Sequence, residues 1–132
     1  MPRAEPRAEM PAWLDEAEPV STVALLYREF GDVLIPIEDV RQRYFRNRNE
    51  HTFRRALNSG EIPLPVVTLD DSHKTRRFVC LYQLAAYIEH RSRAAAIERA
   101  QALPDRQHAR LNRAFVDAIP TTDFRAPTGT AD

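Results

Sequence analysis

Glycine occurs three times in 132 residues, as Gly31, Gly60 and Gly129. No two are close enough to make a phosphate-cradling loop, which needs clustered glycines so that backbone can approach a ligand. Cysteine occurs once, as Cys80. A lone thiol forms no internal disulfide, and with no histidine nearby it builds no metal cage. His51, His73, His90 and His108 stand 22, 17 and 18 residues apart, without the paired spacing of metal ligands. No apolar run approaches the roughly 18 residues that span a bilayer. The N-terminus shows no basic stretch followed by an apolar one, the pattern of a secretory signal. These absences set the expectation of a cytoplasmic chain with no metal, no cofactor and no membrane partner.

Enzymatic chemistry finds no foothold either. Asp70 and Asp71 sit in a polar loop, with nothing apolar beside them to shift a carboxylate. Ser59 precedes Gly60 at a helix end, not at a strand-to-helix elbow. No enzyme is expected.

Charge of one sign is also lacking: 19 basic residues balance 19 acidic ones. The distribution is uneven. Residues 1–20 hold two arginines against five acids, and residues 37–93 hold eleven basic residues against seven acids. Arg41, Arg43, Arg46, Arg48, Arg54 and Arg55 crowd residues 41–55, where Glu50 is the one acid. Local field rather than total charge steers a polyanion, because salt screens beyond about 8 Å. An ordinary solvated helix face is the competing reading.

The length suits one domain with flanking tails. Pro-Arg-Ala-Glu at residues 2–5 recurs at 6–9, a composition that cannot bury a core, so residues 1–19 are expected to be disordered. Met10 follows the repeat as a second candidate start, which intact mass would settle. Ser21 suits an N-cap and Gly31 a helix end, with Val23, Leu26, Tyr27 and Phe30 at helical spacing between them. Val33 to Ile35 is a short strand or extended lead-in. Pro36 then opens a second helix over residues 37–45, with Ile37, Val40 and Tyr44 inward. Asn49 caps a third helix, about residues 50–59, that Gly60 stops. Pro63 and Pro65 favour extended chain. Leu64–Leu69 and Arg77–Leu81 read as a β-hairpin around the polar tip Asp70–Arg76. Leu81, Leu84, Ala85 and Ile88 mark a helix that can run to Leu103. Leu111, Ala114, Phe115 and Ala118 repeat at helical spacing within residues 107–119.

This order predicts a mainly α fold with a small β-hairpin, a winged helix-turn-helix with helical extensions. Residues 20–93 would be the DNA-binding domain with its leading helix, residues 94–119 a helical extension, and residues 120–132 a disordered tail. Ile97, Leu103, Leu111 and Phe115 would supplement a small core or pair two chains. A homodimer is expected, since helix-turn-helix proteins read two half-sites through symmetry.

With Phe53, Ala56 and Leu57 inward, His51 and Arg55 share an outward ridge. His51, Thr52 and Arg55 are the base-reading candidates, since arginine pairs bidentately with guanine. Arg48, Arg54 and Asn58 are the phosphate candidates. His73, Lys74, Arg76 and Arg77 form a basic wing tip.

Residues Leu25 to about Arg93 resemble the pyocin activator protein family. The resemblance rests on Leu25-Leu26, Ile35-Pro36-Ile37-Glu38-Asp39-Val40, Tyr44-Phe45, Ser59-Gly60-Glu61-Ile62-Pro63-Leu64-Pro65-Val66-Val67, Ser72-His73-Lys74 and Leu81-Tyr82-Gln83-Leu84-Ala85-Ala86-Tyr87-Ile88. The family's helix-turn-helix and wing are similar to those of excisionases and the MerR group. The resemblance implies double-stranded DNA as partner and transcriptional activation of bacteriocin, prophage or mobile-element genes. Arg54 and Arg55 fall at its basic helix positions and Lys74 at its basic loop position. Activation would require a surface that touches RNA polymerase, and the sequence shows none. Two alternatives stand beside it: an excisionase-like factor that bends DNA, and a protein-interaction module that does not bind DNA.

Overall fold

The computed structural model describes residues 20–103 and 106–122. The expected disordered extension over residues 1–19, and the tail from residue 123, lie outside the described residues. The elements in order are α1 (Thr22–Phe30), β1 (Leu34–Pro36), α2 (Ile37–Tyr44), α3 (Glu50–Ser59), β2 (Phe78–Cys80), α4 (Leu81–Ala102) and α5 (Arg106–Asp117). The fold is mainly helical, with one small antiparallel sheet.

Local chemistry sets the helix ends. The Ser21 hydroxyl accepts from Ala24 N–H at 3.0 Å, satisfying a donor left over at the start of α1. Asn49 does the same for α3, accepting from Thr52 N–H at 2.8 Å. Gly31 and Gly60 end these two helices in the left-handed region, at φ 77° and 85°, which glycine enters without a steric penalty. Beyond Gly60, Ile62 N–H donates back to Ala56 O at 3.1 Å, which returns Ile62 to the core.

The sheet departs from the expected hairpin. β2 pairs with β1, in the register Leu34–Cys80, Ile35–Val79 and Pro36–Phe78. The segment Leu64–Leu69 meets β2 at a single bridge, Val67 to Phe78. The prolines account for this. Pro63 and Pro65 offer no N–H to a ladder, and Leu64 N–H turns back to Ile62 O at 2.8 Å across Pro63. Phe78 spends both of its backbone groups on Val67, at 2.8 and 2.9 Å. Pro36 can therefore stand opposite it on the other side, where no N–H is needed.

The core gathers beneath this sheet. Ile35 and Val79 face each other with 1% and 0% exposure. Val40 from α2, Phe53, Ala56 and Leu57 from α3, and Leu81, Leu84 and Ala85 from α4 close around them, with Leu26 from α1. Tyr27, expected inward with Leu26, is 54% exposed. Tyr44 is 43% exposed, its ring 6.4 Å from that of Phe30.

α4 is one unbroken helix of 22 residues, about 33 Å long at 1.5 Å per residue. It runs through residues 93 and 94, where the extension was expected to begin. Its core contacts stop near Glu89. Beyond that point α5 packs against it, and Asn112, buried, donates to Leu103 O at 3.4 Å. Ile97, Leu103, Leu111 and Phe115 stay 42–49% exposed and so add nothing to the core. Ile119, the last residue of the expected extension, and residues 120–122, the start of the expected tail, are tied back to α4. Arg93 Nη2 donates to Ile119 O, Pro120 O and the Thr121 hydroxyl at 3.1–3.3 Å. Glu89, buried, accepts from Thr122 N–H and its hydroxyl at 2.7 and 2.8 Å. A buried carboxylate needs such donors, and both of its oxygens have one.

Phe53 supplies the test of this core. Phe53→Ala should cost about 3–5 kcal/mol of stability by urea denaturation. A cost under about 1 kcal/mol would mean that the ring is not packed as described.

Candidate nucleic-acid interface

The turn over residues 45–49 sets α2 and α3 against each other. Phe45 N–H donates to Arg41 O at 2.8 Å and Arg48 N–H to Phe45 O at 3.0 Å. The rings of Phe45 and Phe53 pack at a tilt of 33° with centroids 4.9 Å apart. With Phe53, Ala56 and Leu57 buried, the opposite side of α3 must face solvent. His51, Arg54, Arg55 and Asn58 are exposed there, and Thr52 is half-buried at the N-terminal end. Arg55 Nη2 lies 3.3 Å from His51 Nε2, so the two side chains form one ridge along the helix. A neutral His51 with its proton on Nδ1 accepts that hydrogen bond at Nε2. Asn58 stands at the far end of α3, beyond the ridge.

The tip between Val67 and Phe78 carries its own framework. Ser72 N–H donates to Asp70 Oδ1 at 3.1 Å, Lys74 N–H to the Ser72 hydroxyl at 3.1 Å and Thr75 N–H to Ser72 O at 3.2 Å. Arg76 lies over the Phe78 ring at 5.6 Å. His73, Lys74, Arg76 and Arg77 are all exposed. They share a groove of about 320 Å³ with Arg54 of α3 and with Glu38 at the start of α2. The structure thus brings one phosphate candidate on α3 beside the whole basic tip, a closeness that their sequence separation does not show.

The arginine cluster is less free than its sequence window suggests. Arg41 grips Glu38 through Nε and Nη2 at 2.7–3.1 Å, and its Nη1 donates to Arg48 O at 2.8 Å. Arg48 pairs with Glu61 at 2.8 Å, Arg43 with Glu29 at 3.4 Å and Arg54 with Glu50 at 3.5 Å. Three of these acids, Glu29, Glu38 and Glu61, come from outside residues 41–55. Arg48 is therefore already engaged, whereas Arg54 holds a longer, exposed pair that salt screens readily. The Glu38–Arg41 spacing of three was visible as a helical pair. The Arg48–Glu61 pair spans 13 residues, and only folding reveals it.

The hydrogen bonds from Arg41 and Gln42 hold the Glu38 carboxyl at about 2, below its ordinary 4.5, and Glu38 in turn raises Arg41. Glu38 stays ionised within a basic groove, where it fixes Arg41.

The comparisons with known proteins bear on what this surface serves. A family model described as pyocin activator protein PrtN matches residues 22–95. The chain belongs to that family. The match runs from the start of α1 into the middle of α4, so it takes in the ridge, the groove and the core, and leaves α5 outside. No curated protein and no solved structure matches the chain. PrtN membership points to a regulator that activates transcription rather than to an enzyme. Among the described residues, no helix is long and apolar enough to cross a membrane.

The Glu38 grip has a pH signature. Its folded pKa lies below its unfolded one, so its stabilising contribution is present above pH about 4.5 and is lost as pH falls toward about 2. In carboxyl-detected NMR the Glu38 midpoint should lie near 2, and Arg41→Ala should move it up toward 4.5. A midpoint that ignores Arg41 would overturn the assigned cause.

Proposed function

We propose that the chain is a sequence-specific, cytoplasmic DNA-binding protein that activates transcription of pyocin-like, prophage or mobile-element genes. In this reading residues 20–93 are a winged helix-turn-helix, and α3 is the helix that enters the major groove. His51, Thr52 and Arg55 read base edges, while Arg54 and Asn58 contact the backbone and Arg48 does so by exchanging its Glu61 partner for a phosphate. The tip with His73, Lys74, Arg76 and Arg77 lies along the duplex beside them. Residues 94–119 form an extension that pairs with a second copy of the chain, and activation adds a contact with RNA polymerase.

The observation that carries this reading is the His51–Arg55 ridge. It stands on a helix whose opposite face is locked into the core and whose flank opens on a groove rimmed by the basic tip. A ridge so fixed can present guanidinium donors to base edges with little loss of side-chain freedom, which favours bidentate recognition. The zero net charge is compatible with it, because Arg54 and the four basic residues of the tip share one groove whatever the total charge.

Titration of the protein on cognate and random duplexes across a salt series tests it. Contacts to about five phosphates predict a log–log slope of roughly −4 to −5. A response flat in salt on both duplexes would sink the reading. Arg55→Ala should then cost about 1–3 kcal/mol on the cognate site and little on random DNA. Lys74→Ala should weaken both duplexes alike and shrink the slope by about 1.

A further inference from the structure

Among the described residues, helix α5 leaves an apolar stripe exposed. Leu111, Ala114, Phe115 and Ala118 stand at i, i+3, i+4 and i+7, which makes one stripe of a helix. Ala118 N–H donates to Ala114 O at 2.9 Å, so the helical backbone reaches the last of them. All four are exposed, Leu111 at 49% and Phe115 at 46%. The side that α5 turns toward α4 is the less apolar one, with Ala109, Asn112 and Val116. Water is a poor neighbour for the outward stripe, and an exposed apolar stripe on an otherwise polar helix marks a contact surface.

The order of side chains in the stripe indicates what covers it. We propose that a second copy of this chain does, through α5 packed antiparallel on its own symmetry mate. Place the two-fold axis between residues 114 and 115. Leu111 of one copy then lies opposite Ala118 of the other, and Phe115 opposite Ala114. Every large side chain meets a small one, as a closely packed layer requires, and the contact is isologous, the same patch serving both copies. Charge agrees with this register. Arg110 and Asp117 lie on one flank of the stripe, and the antiparallel arrangement sets Arg110 of each copy within about two residues, or 3 Å of rise, of the level of Asp117 of the other.

The size of the patch sets its strength. A stable interface buries about 800 Å² on each partner, and one stripe of two large and two small residues offers less. Self-association is therefore weak, and two adjacent half-sites on DNA would reinforce it. This deepens the paired state proposed above by naming its surface, and α5 lies outside the family match.

Sedimentation of the full chain without DNA, over a series from about one to several hundred micromolar, tests the contact separately from DNA binding. The mass should rise from monomer to dimer. Leu111→Ser with Phe115→Ser should move the midpoint at least about tenfold higher while circular dichroism stays unchanged, because neither side chain supports the core. Arg110→Asp should weaken the dimer a few-fold, and adding Asp117→Arg should restore it. The charge pair leaves the apolar stripe intact, so it decides the matter even if the serine variants lose helix. A monomer at every concentration, or a dimer indifferent to the serine substitutions, overturns the proposal; failure of the double charge exchange to restore the dimer overturns the antiparallel register.

Discussion

Phe53 is 1% exposed, and its ring lies 4.9 Å from that of Phe45, across the turn that joins α2 to α3. That contact sets the rotation of α3 about its own axis. A ten-residue helix has little else to hold it, and isolated helices of this length are marginal in water. Once Phe53, Ala56 and Leu57 are committed inward, His51 and Arg55 have no choice but to form the outer ridge. The Asn49 cap and the left-handed Gly60 then fix where the helix starts and stops, and so how far the ridge extends.

The same packing shapes the electrostatics. Six arginines in fifteen residues look like an open positive field, yet folding brings Glu29, Glu38 and Glu61 in from elsewhere to meet three of them. The exposed cations are redistributed rather than cancelled. His51 and Arg55 keep each other's company on the ridge, and Arg54 faces a groove lined by the tip residues. A surface of this kind sets a ridge on a packed helix beside exposed cations, which suits the proposed division between base contact and phosphate contact.

Much of the helical architecture was legible because helices depend on local rules. Ser21, Asn49, Gly31 and Gly60 act through bonds within a few residues, and the inward positions of α3 and of the first half of α4 follow from a period of 3.6. The strands were not legible in the same way. Phe78–Cys80 was expected beside Leu64–Leu69, its nearest apolar run, but it lies beside Leu34–Pro36, more than forty residues away in the chain. Strand pairing is a choice among distant partners, and Pro63 and Pro65 cut the nearer one down to the single Val67–Phe78 bridge. The residues after α5 show the same limit. Thr121 and Thr122 look like the start of a tail until Arg93 and the buried Glu89 take hold of them.

The chain's local pattern placed the helices to within a residue or two, and it carried the inward face of α3 and the resemblance to an activator family that the family match then bore out. It could do so because caps, breakers and periodicity are short-range. Only the fold shows that Arg43 and Arg48 are spent on the distant Glu29 and Glu61, that β1 completes the sheet with β2, and that Arg54 shares a groove with the basic tip. It also decided that α5 turns its apolar stripe outward. Each of these depends on which distant groups meet when the core closes, and no local pattern encodes that meeting.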